Sequence, residues 1–318
     1  MDELTDRRDL LSRIFISPDE RRLRVVWRLL AQGGIMLAIA LIVSFPLTII
    51  VIVVTMIAPD LVAAEGTPQL LLLALSSVVA LPAATLSVLI ARRALDRRSI
   101  SSLGLEWGPF TIRDLTVGFL IPLLLFALTF LLQWGLGWLK IEGWGWAESG
   151  LALNMLGVLL GLIGFIAVGF YEELLFRGYY LQNLRDGTGL VLALLLTSLL
   201  FAVAHLGNFS ASIASTIGIF SAGYFLAYGW VRTRALWLPI GVHIGWNFFQ
   251  GPVFGFAVSG NSTPSIVVQT SQGPELFTGG GFGPEAGLLV LPMMVLGSVL
   301  IWLYSRGRDS ITDHASAS

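Results

Sequence analysis

The stretch LGVLLGLIGFIAVGFYEELLFR, residues 156–177, decides the fold class. Its first part, up to Tyr171, carries no charge, and two glutamates and an arginine follow at once. An apolar run of this kind is typical of a helix that crosses a membrane. Charged groups on such a helix are costly in lipid and are functional candidates for that reason. The stretch therefore predicts a membrane helix that carries a functional site.

Composition supports the same fold class for the whole chain. Of its 318 residues, 55% are hydrophobic and only 12% are charged, whereas soluble domains have roughly 45–50% apolar and about 25% charged residues. Most of the outside must therefore contact lipid, and we expect an all-α, polytopic membrane protein. The chain has no cysteine, which excludes disulfides, thiolate zinc sites and cysteine nucleophiles. The net charge of −1 suggests no nucleic-acid partner.

Eight stretches are long and apolar enough to be transmembrane helices, and no internal repeat is evident. They lie near residues 30–57, 69–92, 115–137, 152–182, 189–206, 211–231, 236–252 and 286–304. This divides the chain into an N-terminal tail (1–29), a transmembrane domain (30–306) and a C-terminal tail (307–318).

The distribution of positive charge predicts the orientation. Lys and Arg concentrate on the cytoplasmic side of membrane proteins. With the N-terminus inside and eight crossings, 18 of the 19 Lys and Arg residues fall on the inner side, and only Lys140 falls outside. We therefore expect both termini in the cytoplasm. The segment Asp9–Ile16 is either a short interfacial helix or part of a solvated tail, and the basic linker Arg92–Arg113 is expected at the same surface.

The longest outer loop, residues 253–285, is rich in Gly, Ser, Thr and Pro and lacks Lys and Arg. It is either a flexible loop or a segment that partly re-enters the bundle. Its run TGGGFGPE (278–285) predicts a turn that leads into a helix with Pro284 at the first position, where the missing N–H costs nothing.

Polar side chains interrupt the apolar spans at three places. In the first, Glu173 and Arg177 are four residues apart and can pair on one helix face. That pair leaves Glu172 without a partner on its own helix. An unpartnered carboxylate in a low-dielectric bundle holds a proton more tightly than in water, as a general base near neutral pH requires. The alternative is a purely structural charge network or an interfacial anchor.

The other two places are His205, at the end of an apolar span, and His243 with Asn247, which share one helix face at i, i+4 spacing. The alternatives are an interfacial histidine and hydrogen bonding between helices. At 1.5 Å per residue, Glu172 and His205 can lie at similar heights in the bundle, and His243 matches them if the hairpin Tyr179–Asp186 projects into the cytoplasm. This predicts a site nearer the cytoplasmic face that opens towards it.

The motifs E-E-x-x-x-R (172–177), F-x-x-x-H (201–205) and H-x-x-x-N (243–247) occur in this order on successive helices. This pattern resembles the CPBP family of type II CAAX prenyl endopeptidases and bacteriocin-processing, Abi-like membrane proteins. The resemblance covers about residues 150–250, and it implies a protease core at about 112–250. It implies an intramembrane endopeptidase that cleaves a membrane-proximal or lipidated peptide or small protein, in a membrane expected to be a bacterial plasma membrane.

Position by position, the resemblance implies that Glu172 activates the attacking water and that His205 orients this water. His243 and Asn247 would stabilise the oxyanion, with Glu173 and Arg177 as the supporting pair. Family members have also been described as metalloproteases, in which case His205 and His243 would be ligands of a zinc ion. We expect a glutamate-dependent mechanism without a cofactor, because the sequence lacks H-E-x-x-H and a metal-bound Glu172 could not act as the base.

Two functions of other classes remain open at this stage. One is a non-enzymatic membrane protein of the same fold, such as an immunity factor that binds a partner. The other is a transporter, since paired acids and histidines can relay protons. The expected partners are membrane lipid and a peptide or small-protein substrate, and the sequence does not identify that substrate.

Overall fold

The structure is a computed structural model that describes residues 14–17, 22–58 and 67–306. The predicted C-terminal tail (307–318) and residues 1–13 lie outside the described residues. They include most of the predicted interfacial helix Asp9–Ile16. Of that segment, Ile14 and Phe15 have helical geometry, and the Phe15 ring lies 4.6 Å from the ring of Trp27.

Helices make up most of the described chain, and all of them except the short α5 lie largely within an apolar stretch predicted from the sequence. They are α1 (Val25–Ile57), α2 (Thr67–Ala94), α3 (Thr111–Gly135), α4 (Leu151–Glu173), α5 (Leu181–Thr188), α6 (Leu190–Ala204), α7 (Ile213–Thr233), α8 (Trp237–Phe248) and α9 (Val290–Ser305). Short helical turns connect them at Ser101–Leu103, Gly145–Ser149, Glu275–Thr278, Gly280–Phe282 and Pro284–Ala286.

The length and hydropathy of the helices are typical of a membrane protein. Four described helical segments are long and apolar enough to cross a bilayer: Val25–Ile57, Ser77–Ala94, Thr111–Gly135 and Leu151–Thr188. The helices α6 and α9 are apolar but shorter. Large apolar side chains cover the outer faces; Ile42 and Phe45 of α1, for example, are both 72% exposed. Such faces are stable only against lipid or another apolar surface.

A small β-sheet is an exception to the predicted all-α fold. Strand β1 (Leu139–Trp144) pairs antiparallel with β2 (Val267–Ser271), with an irregularity between Ile141 and Gly143. The loop 253–285, for which the sequence predicts a flexible or partly re-entrant segment, holds β2 and three short helical turns. Pro284 is at the start of a 3₁₀ turn, as predicted for a first position, but the next long helix begins only at Val290.

Two helices change from α to π geometry close to the polar motifs. A π segment, Leu174–Tyr180, follows Glu173 directly, and a second, Phe249–Val253, follows Asn247 by two residues. π segments are rare in proteins, but those that occur are often found at functional sites. Both connect the candidate site to the rest of the bundle.

Helix α8 packs backbone to backbone against α3. A Cβ atom at Gly241 or Gly245 would meet the main chain of Leu115 or Phe119, and one at Gly118 would lie 2.9 Å from the main-chain nitrogen of Val242. Small residues four apart allow this approach in membranes. The G-x-x-x-G pair alternates along α8 with the predicted H-x-x-x-N pair, so the glycines contact α3 while the polar groups point elsewhere.

The arginine-bearing turns meet at one end of the bundle, called here the arginine end. Asp96 is buried there between Arg28 (2.9 Å) and Arg92 (3.0 Å), and Arg98 binds Asp186 at 2.7 Å. The hairpin Tyr179–Asp186, which the sequence predicts to project into the cytoplasm, is packed into the arginine end, because Tyr179 is fully buried and Asn183 donates a hydrogen bond to Asp96. The helices that precede the hairpin in the chain cover it.

Candidate active site

A cavity of about 470 Å³ lies among α4, α6, α7 and α8. All four residues predicted as catalytic line it: Glu172, His205, His243 and Asn247. They come from three different helices, and apolar side chains such as Phe165, Ile219 and Leu226 form much of the remaining wall. The fold thus brings a carboxylate, two imidazoles and a carboxamide to one space inside the helices.

Glu173 connects the site to its support. One oxygen, Oε1, accepts from Arg177 Nη1 and from His243 Nδ1, each at 2.8 Å. Glu173 is fully buried. The predicted pair with Arg177 is therefore present, and the same carboxylate also holds the ring of His243, which the spacing within one helix could not show.

Arg177 extends this support to two more helices. Its Nη2 donates to the carbonyl of Gly223 on α7 at 2.8 Å, and its guanidinium lies 4.5 Å from the ring centre of Phe201 on α6. One buried arginine thereby contacts α7 and α6 directly, and it contacts α8 through Glu173 and His243. A buried charge is stable only when it is paired and hydrogen-bonded in this way.

Glu172 points into the cavity. Its Oε2 lies 3.7 Å from Nε2 of His243 and accepts no hydrogen bond from the residues that the structure describes. Its side chain is 15% exposed, in contrast to the fully buried Glu173. A carboxylate that lines a cavity beside an imidazole is available to a water or substrate bound there.

The ring of His205 is fixed by its own helix. Nδ1 lies 2.8 Å from the carbonyl of Phe201, one turn earlier. A carbonyl can only accept, so Nδ1 carries the proton in the neutral ring, and Nε2 is left as an acceptor. His205 can therefore receive a hydrogen bond in the cavity.

Asn247 lies one turn after His243 on the same face of α8, and both are nearly buried, at 6% and 5% exposure. Its carboxamide lines the cavity and makes no hydrogen bond with the described part of the chain. Two N–H donors therefore remain for a group that enters the cavity.

Sequence reasoning missed Glu285. It is 3% exposed and lines the cavity from the loop before α9. Its carboxylate accepts from Trp246 Nε1 (3.1 Å) and from the main-chain nitrogen (2.6 Å) and hydroxyl (2.9 Å) of Ser259. Glu285 thus ties the loop to the residue next to Asn247. The loop composition gave no signal for this, because the partners are 26 and 39 residues away.

The cavity opens at the end opposite the predicted one. Its rim includes the exposed residues Gly207, Phe209, Asn261 and Ser262. These belong to the loops after α6 and α8, which meet where Asn208 donates to the carbonyl of Ser259. The sequence predicts an opening towards the cytoplasmic face, where the arginines are expected, but the exposed rim lies away from the arginine end. The depth estimate assumes that the hairpin Tyr179–Asp186 projects out of the bundle, whereas it is packed within it.

The possible metal-ligating side chains around the cavity do not favour a bound metal ion. Among residues 14–17, 22–58 and 67–306, no three His, Asp or Glu side chains are grouped so as to hold one. His243 uses Nδ1 for Glu173, and Glu173 is shared with Arg177. A catalytic zinc site needs three protein ligands around one point, and the described side chains do not provide this.

Comparison with known proteins confirms the resemblance predicted from the motifs. Residues 153–249 match the family model described as "Type II CAAX prenyl endopeptidase Rce1-like". The matched segment contains all three polar motifs. Neither the curated proteins nor the solved structures contain a significant match to the chain.

Proposed function

We propose that the chain is an intramembrane endopeptidase in which Glu172 activates a water molecule for attack on a peptide bond. One observation carries this proposal. A carboxylate with a free oxygen, an imidazole restricted to the acceptor role and a carboxamide with free donors line a single cavity between apolar helices. The family match over 153–249 supports peptide-bond hydrolysis as the reaction class.

The attacking water has two hydrogens, and the cavity offers an acceptor for each. Glu172 takes one proton as the water oxygen attacks the carbonyl carbon, and Nε2 of His205 accepts a hydrogen bond from the other. When the C–N bond breaks, the proton on Glu172 passes to the leaving amine. Glu172 then returns to its starting charge.

The same attack places a negative charge on the carbonyl oxygen. Asn247 donates its carboxamide N–H to that oxygen, and His243 donates from Nε2 when this atom carries a proton. The hydrogen bond from His243 Nδ1 to Glu173 holds the ring in position and leaves Nε2 facing Glu172 and the cavity. Donors fixed before the reaction stabilise a developing charge most effectively. The mechanism uses no metal ion or other cofactor.

In the membrane, we propose eight crossings with both termini in the cytoplasm. The arginine end supports this orientation, since Lys and Arg collect on the cytoplasmic side. Of the shorter helices, α8 would cross inside the bundle, whereas α6 and α9 also present large apolar side chains to the outside. The substrate would be a peptide or small protein at the membrane.

A comparison of membrane-associated peptides tests the proposed activity. Cells that produce the wild-type chain should contain peptide termini that are missing from cells that produce Glu172→Gln at the same level. Mass spectrometry of membrane fractions identifies these termini. Identical peptide sets in the two cell lines would argue against an endopeptidase.

Asn247→Asp should lower the rate of cleavage by about 10²–10³-fold, because it replaces the donating amide with a group that cannot stabilise the oxyanion. The change should fall on kcat rather than on KM, since the contact forms in the transition state. Gln272→Glu, an exposed amide-to-acid change on the same side of the bundle, is the matched control and should keep the wild-type rate. A wild-type kcat for Asn247→Asp would remove Asn247 from the oxyanion site.

Chelation should leave the activity of the purified protein unchanged, because no step of the proposed mechanism uses a metal ion. The measurement is the cleavage rate before and after dialysis against EDTA, together with elemental analysis. One zinc per chain, with activity lost on its removal and regained on its return, would contradict the mechanism.

A further inference from the structure

The end of the bundle at which the cavity opens has a different charge from the arginine end. It is formed by the loops that contain β1, β2 and the rim of the cavity. Lys140 is the one Lys or Arg that the described residues place there, and its ammonium lies 2.9 Å from Glu142. This hydrogen bond lowers the pKa of Glu142. Glu148, Glu275 and Glu285 add negative charge at this end.

The path from the cavity to the arginine end is closed. After α4 the chain continues through the π segment, in which Leu174, Phe176 and Tyr179 are 0%, 6% and 0% exposed. Between the arginine end and His243, Leu236 precedes α8 and Leu238 lies in its first turn, and both are fully buried. The buried pair of Glu173 and Arg177 lies between the cavity and these packed residues. A substrate could not reach Glu172 from that side without breaking this packing.

The rim offers hydrogen-bonding groups to a chain that enters from the open end. Asn208, Ser259, Asn261 and Thr263 line the cavity with amide and hydroxyl groups, and Glu172 and Glu285 are its carboxylates. No Lys or Arg side chain is among the described residues that line it. Amides and hydroxyls suit the N–H and C=O groups of an extended peptide. The two carboxylates favour neutral or basic segments over acidic ones.

We propose that the cavity is reached from the non-cytoplasmic side of the membrane. The substrates would then be neutral or basic peptide segments of exported or membrane proteins, rather than lipidated tails in the cytoplasm. This substrate class rests on the proposed endopeptidase function, whereas the side of access does not. The two ends differ in charge, and the positive end is the cytoplasmic one.

Thiol labelling tests the side of access without any need for activity. The chain has no cysteine, so a single introduced thiol gives a specific signal. Ser262→Cys places it at the exposed rim, and Ser101→Cys, the matched control, places it at an exposed position of the arginine end. A charged maleimide that does not cross membranes is added to intact spheroplasts that produce each variant. We expect labelling of Ser262→Cys in intact spheroplasts, and labelling of Ser101→Cys only after permeabilisation.

The reverse pattern would overturn the proposal, since the cavity would then face the cytoplasm. Absence of label at Ser262→Cys both before and after permeabilisation would also overturn it, because the rim would then be closed. The same labelling of Ser262→Cys in a Glu172→Gln background separates access from catalysis. If access is confirmed but no peptide is cleaved, the endopeptidase function alone fails.

Discussion

Glu172→Gln should reduce cleavage by about 10²–10⁴-fold, the usual contribution of a positioned general base. The amide keeps the size of the side chain and its place beside His243, but it cannot take a proton from water. The loss should appear in kcat and should persist at every pH. The measurement is the cleavage rate of a peptide identified in the membrane-peptide comparison, with purified protein in detergent or liposomes.

Glu148→Gln is the matched control for this variant. Glu148 is exposed, lies at the same end of the bundle as the cavity rim and does not line the cavity. The control should cleave at the wild-type rate. If Glu172→Gln also cleaved at that rate while remaining folded and inserted, Glu172 would not be the base, and the proposed mechanism would fail at its first step.

Arg177→Met should destabilise the protein by about 3–5 kcal/mol, because it leaves the fully buried Glu173 without its cation. His243 should also lose its fixed position, since the carboxylate that holds it would be uncompensated. The measurement is unfolding by denaturant in detergent micelles, followed by tryptophan fluorescence. Arg93→Met, a change of the same type at an exposed arginine, should shift the free energy of unfolding by only a few tenths of a kcal/mol.

The double variant Glu173→Gln with Arg177→Met separates a charge effect from a packing effect. With no buried charge left, it should recover most of the stability lost in Arg177→Met. The amide oxygen introduced by Glu173→Gln could still accept from His243 Nδ1. Equal instability of the single and double variants would instead show that the shape of Arg177 against Phe201 matters more than its charge.

Patterns within single helices predicted much of the fold and the site. The long apolar stretches mark the helices, because lipid requires nearly every residue of a span to be apolar. The spacing of Glu173 and Arg177 predicts their pair, and the order of the three polar motifs predicts a shared space. The structure places all four proposed catalytic residues on one cavity.

Contacts between distant segments were not predictable in the same way. Strands β1 and β2 are more than 100 residues apart, and each is too short to show a clear alternating pattern. The hairpin Tyr179–Asp186 looks solvent-facing from its polar composition, but those polar groups bond to Asp96 and to the linker that carries Leu103. Glu285 looks like a turn residue until its partners Trp246 and Ser259 are known.

The glycine contact between α3 and α8 has a mechanical consequence. Two helices that already touch through their main chains cannot move closer, and the rings of Phe119 and Phe126 on α3 pack against Phe248 and Trp246 on α8, so we expect α3 and α8 to move as one stiff unit that carries His243 and Asn247. We then expect any widening that admits a polypeptide to come from the opposite wall, where α6 and α7 expose large apolar side chains. The wall formed by α8 and its partner α3 is therefore expected to stay in place, while the wall formed by α6 and α7 moves.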